Sequence, residues 1–208
     1  MNSSARVFLV DDEPGMLKSL TRLLRAEGFT VVTFPTAEDF LGVCQPSDLG
    51  CLVLDVAMPG IDGLQLQERL SREGVMLPIV FLTGHGDIPM SVRAIKAGAV
   101  DFLTKPVNDT ELLRAVRAAL QKAEQQQAFV AETAMLRERL AQLTPREREV
   151  MQHVIAGKLN KQIAADLGTG EQNIRIHRGR MMQKMGVPSV AELVRVAEQL
   201  GVAPAPPS

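Results

Sequence analysis

Five short apolar, β-rich runs recur through the first half of the chain, at Val7–Val10, Thr30–Phe34, Cys51–Leu54, Ile79–Leu82 and Asp101–Leu103. This recurrence constrains the fold more than any other feature. The runs are almost continuously apolar, as expected of parallel strands covered on both faces. Helical spacing fills the gaps between them. Leu17, Leu20, Leu23 and Leu24 share one helix face, and the patterns at 64–70 and 90–97 are each followed by a glycine, Gly74 or Gly98, where a helix would stop. Strands alternating with helices predict βαβ units and a doubly wound α/β sheet.

The residues at the carboxyl ends of these strands are as informative as the strands themselves. The first run ends in Asp11-Asp12, the third in Asp55, the fourth in Thr83, and the fifth leads into Lys105-Pro106. In an open α/β sheet the binding crevice lies beyond the carboxyl ends of the strands, so these polar groups are expected at one edge. Three converging carboxylates repel one another and call for a hard divalent cation, Mg²⁺ or Mn²⁺, with oxygen ligands. A cation beside a lysine and a hydroxyl can hold a phosphoryl group: Lys105 and the metal neutralise its oxygens while Thr83 hydrogen-bonds to one. Asp55 is the expected nucleophile, because a carboxylate can form an acyl phosphate.

Leu9-Val10-Asp11-Asp12-Glu13, Asp55-Val56-Ala57-Met58-Pro59-Gly60 with Asp62-Gly63, Leu82-Thr83-Gly84-His85-Gly86-Asp87, and Asp101-Phe102-Leu103-Thr104-Lys105-Pro106 together resemble the receiver domain of two-component response regulators, closest to the NarL/FixJ type. The resemblance covers residues 5–122. It implies a five-stranded parallel sheet of order 2-1-3-4-5 and phosphorylation of Asp55 by a sensor histidine kinase. It also implies metal ligation by Asp11, Asp12, Asp55 and the main-chain carbonyl of Ala57, and a cis bond between Lys105 and Pro106. Thr83 and Phe102 would form the switch pair: Thr83 moves toward the new phosphoryl oxygens and Phe102 turns into the vacated space.

Residues 107–144 contain neither Gly nor Pro and are rich in helix formers. A helix over 109–142, capped by Asn108 or Asp109, is expected to continue the last receiver helix into a linker. Leu113, Val116, Leu120 and Ala123 would pack on the receiver. Phe129, Leu136, Leu140 and Leu143 form a second stripe, which either packs on its own domain or forms a dimer seam.

The charge balance changes along the chain. Residues 1–125 carry 12 Lys/Arg against 16 Asp/Glu, and residues 126–208 carry 11 against 8, so the two parts suit different partners. Thr144-Pro145-Arg146-Glu147 reads as a capping box with proline in the first turn. Asn160 is expected to cap a short helix over 161–167, a turn at 168–170 leads to a third helix from Glu171 to about Met185, and Ser189-Val190-Ala191-Glu192 starts a fourth, giving four helices over 143–201. The segment 202–208 is Pro-rich and expected to be disordered. The second and third helices form a helix-turn-helix. Arg175, His177, Arg178, Arg180 and Lys184 lie on the third, opposite an apolar face of Ile174, Met181 and Met185.

Leu143 to Val150, Gly157 to Ala164, Ile174 to Arg178 and Lys184 to Val187 resemble the LuxR-type output domain. The resemblance implies promoter DNA as partner and DNA contacts by Lys161, Asn173, Arg175, His177, Arg178 and Lys184. Two departures stand out. Thr169-Gly170 replaces the usual Ile-Ser, and Asn173 stands where Thr is common, which changes the hydrogen-bonding group offered to DNA.

The expected function is phosphorylation-controlled transcription regulation rather than enzymic turnover, with homodimerisation on phosphorylation, RNA polymerase as a further partner, and activation of a catabolic operon. An aspartyl-phosphate phosphatase would need a second carboxylate two residues after the nucleophile, where Ala57 stands. A receiver acting by protein contact, with its helix-turn-helix as a docking surface, is the other alternative. The first apolar run is four residues long and ends in acids, and no run approaches the roughly 20 apolar residues of a membrane span. No membrane association and a cytoplasmic location are expected. Cys44 and Cys51 are too few for a disulfide framework.

Overall fold

The computed structural model describes residues 5–45, 48–84 and 88–206. The chain divides into two compact units, Met1–Ala128 and Phe129–Ser208. The first alternates β1 (Arg6–Val10), α1 (Pro14–Ala26), β2 (Thr30–Phe34), α2 (Ala37–Val43), β3 (Gly50–Asp55), α3 (Gly63–Arg72), β4 (Ile79–Thr83), α4 (Ile88–Lys96) and β5 (Asp101–Thr104), then enters α5 (Asp109–Ala141). All five strands are parallel and ordered β2-β1-β3-β4-β5.

The continuous apolar runs follow from burial on both sheet faces. Phe8, Val10, Leu52, Leu54 and Phe81 point to one side, where they meet Phe40 of α2, Leu66 and Leu70 of α3, and Ala94 of α4. Val7, Leu9, Cys51, Val53, Val80 and Leu82 point to the other, against Leu20 and Leu24 of α1 and Leu112, Ala115, Val116 and Ala119 of α5. Cys51 is fully buried, and desolvation raises its thiol to about 12, so it behaves as a small apolar side chain. Helix α2 has no counterpart among the elements expected from the sequence. It is short, and its start is fixed by Thr36, whose hydroxyl accepts from the Asp39 N–H at 3.1 Å.

Asn108 caps α5, its side-chain oxygen accepting from the N–H groups of Thr110 at 3.0 Å and Glu111 at 3.2 Å. The buried face of α5 is Leu112, Ala115, Val116, Ala119 and Ala123, with Leu113 and Leu120 at its flanks. Ala115 and Ala119 sit within this face beside Leu112 and Val116, and Leu113 and Leu120 are only partly buried.

The second unit contains the end of α5 and α6 (Pro145–Ile155), α7 (Asn160–Asp166), α8 (Glu171–Met185) and α9 (Val190–Leu200). Its core joins Leu143, Val150, Met151, Val154, Ile163, Ile174, Met181, Met185, Leu193 and Ala197. Thr144 and Glu147 form the expected reciprocal capping box. The second α5 stripe divides. Leu136 and Leu143 are buried, Leu140 packs on this unit's core, and Thr133 accepts a hydrogen bond from Gln199 of α9 at 2.9 Å, while Phe129 is 58% exposed.

Two expectations need correction. Asn160 does not cap α7. The preceding residue, Leu159, takes that place, its N–H donating to the Gln162 side chain at 2.8 Å, and the Asn160 oxygen instead accepts from Arg178 at 2.9 Å. Residues 202–206 carry no regular element, yet they are held rather than loose. Val202 packs on the core and the Ala205 N–H donates to the Gln152 carbonyl at 3.0 Å. Residues 207–208 of that segment lie outside the described residues. Among the described residues, no helix is long and apolar enough to cross a membrane.

Gly63 opens α3 directly beneath the end of β3, where a Cβ would overlap the Asp55 carbonyl and crowd the Val56 backbone. Backbone atoms cannot swing aside as a side chain can. Gly63→Ala is therefore expected to cost about 1–3 kcal/mol, the range for overpacking. The midpoint of the first unit's thermal transition, followed by circular dichroism, should fall by several degrees, and an unchanged midpoint would show that the loop yields freely.

Candidate functional site

Parallel pairing brings the strand ends to one edge. Val10 pairs with Leu54, Asp55 with Leu82, and Thr83 with Thr104, so Asp11-Asp12, Asp55, Thr83 and Lys105 all emerge on the same side of the sheet. Ligand oxygens of Asp11, Asp12 and Asp55 lie within 4.8 Å of one another. Asp11 is fully buried and Asp55 only 3% exposed, while Asp12 faces solvent.

Lys105 reaches into this cluster. Its ammonium donates to Asp11 Oδ2 and Asp55 Oδ2, both at 2.9 Å, and approaches Glu13 Oε1 at 3.5 Å. The opposite carboxylate oxygens receive backbone donors: Glu13 N–H meets Asp11 Oδ1 at 2.8 Å and Ala57 N–H meets Asp55 Oδ1 at 3.3 Å. Burial raises the Asp11 carboxyl above its ordinary value despite the hydrogen bond from Lys105. Burial alone would lower Lys105, but its bonds to Asp11 and Asp55 override that and raise it above the usual lysine range. Lys105 thus remains a cation and leaves the three aspartates with excess negative charge. An all-oxygen cluster with that surplus is chemically suited to a hard divalent ion and to anchoring a phosphoryl group beside it.

Thr83 is buried at the end of β4. Phe102 on β5 is partly buried, with its ring centroid 6.0 Å from that of Phe81. The Lys105–Pro106 bond is cis. His85-Gly86-Asp87 lies outside the described residues.

The second unit gathers a different set. Helices α7 and α8 are joined by a turn in which Gly168 adopts φ 61°, a left-handed conformation that favours glycine. Ile174, Met181 and Met185 fix one face of α8 in the core, as their spacing predicts. The other side exposes Gln172, Asn173, Arg175, Ile176, Arg180 and Gln183, and Lys161 is exposed on α7. Asn173 donates to the Thr169 hydroxyl at 3.2 Å, so the two departures from the family pattern meet as a pair. His177 and Arg178 are half-buried, and Arg178 is engaged by Asn160. Lys184 stands apart. Its ammonium donates to Glu147 Oε2 at 2.6 Å and to the Gln142 carbonyl at 3.2 Å. Glu147 is 2% exposed, so Lys184 is the counter-charge of a buried carboxylate. Helical spacing alone identifies the basic residues of α8, but it cannot separate those that face solvent from the one recruited by a distant acid.

Residues 7–117 match the family described as response regulator receiver domain, and residues 141–197 match bacterial regulatory proteins of the luxR family. Nodulation protein W of Bradyrhizobium diazoefficiens is 46% identical over 97% of this chain and 88% of its own length. Response regulator protein TodT of Pseudomonas putida is 45% identical over 93% of this chain and 86% of its own. Among solved structures, that of response regulator StyR is 44% identical with a TM-score of 0.82, covering 95% of this chain and all of the other. Full-length FixJ from B. japonicum is 40% identical with a TM-score of 0.58, covering 96% and 98%.

The Lys184 hydrogen bond is the leading influence on Glu147 and, against the cost of burial, holds its carboxyl below the ordinary 4.5. A lowered folded value means that the stabilisation is present above pH 4.5 and is lost as pH falls through the folded pKa. Glu147→Gln keeps the capping box and removes only the charge. It is expected to destabilise the second unit by about 2 kcal/mol at pH 7, the scale of a hydrogen bond to a charged group. The difference from wild type should shrink below pH 4.5, and a pH-independent difference in thermal midpoint would disprove the ion-pair origin.

Proposed function

Because the chain belongs to the two-component response regulators with a LuxR-type DNA-binding domain, we propose that Asp55 is its phospho-acceptor and that phosphorylation there controls how α8 engages promoter DNA. The observation that carries this reading is the Lys105 ammonium, held 2.9 Å from both Asp11 and Asp55 beside three clustered carboxylates. The family comprises transcription regulators rather than enzymes, with a sensor kinase upstream and DNA downstream.

Asp55 attacks the phosphorus of the kinase's phosphohistidine. The P–O bond to Asp55 forms as the P–N bond breaks, and the imidazole leaves with the bonding pair. Lys105 fixes the Asp55 side chain through Oδ2, and its charge offsets that of the incoming phosphoryl oxygens. Asp11, Asp12, Asp55 and the Ala57 carbonyl would hold Mg²⁺ or Mn²⁺, for which their oxygen donors are suited. When bound, the ion supplies further neutralisation of the phosphoryl oxygens. Thr83, at the end of the strand beside Asp55, donates its hydroxyl to one of them. Phe102 then turns from its place near Phe81, reshaping the surface of α4, β5 and α5.

That surface supports homodimerisation, since α4 presents Val92 and Ile95 to solvent. Two second units joined in this way can bind a two-fold DNA site together. Lys161, Asn173, Arg175, His177 and Arg178 are the proposed DNA ligands, and exposed Arg180 joins them. Lys184 is a further proposed DNA ligand, and its ammonium also donates to Glu147. The protein acts in the cytoplasm and contacts RNA polymerase at its promoters. Sequence resemblance alone supports activation of a catabolic operon as its role.

Acetyl phosphate with MgCl₂ should increase both the dimer mass by light scattering and the affinity for target DNA, the latter about tenfold. Asp55→Asn should gain neither. Equal responses from the two proteins would refute the switch.

A further inference from the structure

The C-terminal ends of α5 and α8 cap each other. Arg139, in the last turn of α5, donates to the Met185 carbonyl at the end of α8 at 3.1 Å. Lys184, in the last turn of α8, donates to the Gln142 carbonyl just past the end of α5 at 3.2 Å. The final carbonyls of a helix lack intrahelical partners and carry the negative end of its dipole. Each helix therefore supplies the cation that the other's terminus needs. The arrangement has a steric requirement at Gly186. This residue terminates α8 at φ 68°, and a Cβ there would overlap the Arg139 guanidinium. Glycine thus provides both the left-handed turn and the space the arginine occupies. Glu147 fixes the Lys184 side of the clasp through its buried carboxylate.

We propose that Arg139 is a positioning residue for DNA recognition: with Lys184 it forms a reciprocal clasp that sets the orientation of α8, so the end of the linker helix is part of the reading head. This rests on α8 being the DNA-reading helix. Arg139 lies on α5, and its bond runs to the far terminus of α8 from Asn173 and Arg175, so it acts through the helix rather than on a base.

The test uses the full chain with acetyl phosphate and MgCl₂ present, a duplex that the wild-type protein enriches from a random-sequence pool under those conditions, and a scrambled duplex of the same length. Arg139→Met keeps the helical stem and removes every donor. It should bind the enriched duplex at least tenfold more weakly and the scrambled duplex within twofold of wild type, with an unchanged salt slope for the scrambled duplex. Arg139→Lys, which retains a cationic donor, should recover at least threefold of the specific loss. Circular dichroism at the assay temperature checks that Arg139→Met is folded. Should it unfold, Arg139→Gln, which keeps a neutral amide donor group, takes its place and should show an intermediate specific loss. Wild-type specificity in the substituted protein would overturn the clasp. So would an equal loss on both duplexes with a shallower salt slope, because Arg139 would then be a phosphate ligand. Failure of the wild-type chain to enrich any duplex would instead overturn the reading of α8 on which the clasp rests.

Discussion

The first unit is organised around one electrostatic imbalance. A single ammonium, Lys105, holds Asp11 and Asp55 at 2.9 Å while a third carboxylate, Asp12, completes the cluster. Burying a carboxylate costs several kcal/mol unless charge and hydrogen bonds offset it. Here the offset is partial, as the raised Asp11 carboxyl records. The fold supports that cost because both sheet faces are covered by helices and the strand ends cannot separate without breaking the parallel register. An excess of negative charge on a rigid edge is a disadvantage to an inert protein. For a phospho-acceptor it is the prepared state, because the cation that would balance the carboxylates is the one that would also neutralise an incoming phosphoryl group.

The second unit solves a different problem with weaker means. Helix α8 leaves one side exposed, the side proposed to meet DNA, and buries only a narrow stripe. Ile174, Met181 and Met185 are its fully buried side chains. Two of the three are methionines, whose unbranched side chains adapt to their surroundings and specify rotation poorly. Polar contacts at its ends and edges complete the definition: Asn160 on Arg178, Glu147 and Gln142 on Lys184, and Arg139 on Met185. Arg175 and Arg180 thus face solvent, while Arg178 and Lys184 also help to hold the helix in place.

The sequence exposed most of this architecture wherever periodicity carried the information. The five strands, the polar groups at their carboxyl edge, the glycine-bounded helices and the apolar face of α8 all stand where residue spacing puts them. Contacts between residues distant in sequence were not legible. Asn160 looks like a helix cap when only its neighbours are considered, yet its partner is Arg178, eighteen residues later. The residues around Lys184 in sequence give no sign of its bond to Glu147, thirty-seven positions earlier. Helix α2 is too short for its apolar spacing to stand out, and the buried face of α5 includes Leu112, Ala115 and Ala119, which the larger residues of the stripe did not point to.

Gly186 shows how a local signal can carry long-range information. A glycine after a basic helix reads as an ordinary stop, and its positive φ is sufficient reason for it to be there. The Arg139 guanidinium gives a second, independent reason, since the space beside its Cα is already taken by a side chain from another helix. The two constraints separate by substitution. A d-alanine at 186 would satisfy the backbone torsion and point its methyl group along the other Cα substituent direction, away from the site that an l-residue Cβ would fill. Relief of the turn strain alone would therefore leave the clasp intact, whereas an l-residue must disturb both. A terminus that is at once a turn and a receptor for an arginine ties the end of the linker helix to the end of the reading helix, and that tie gives the linker a role in recognition beyond spacing.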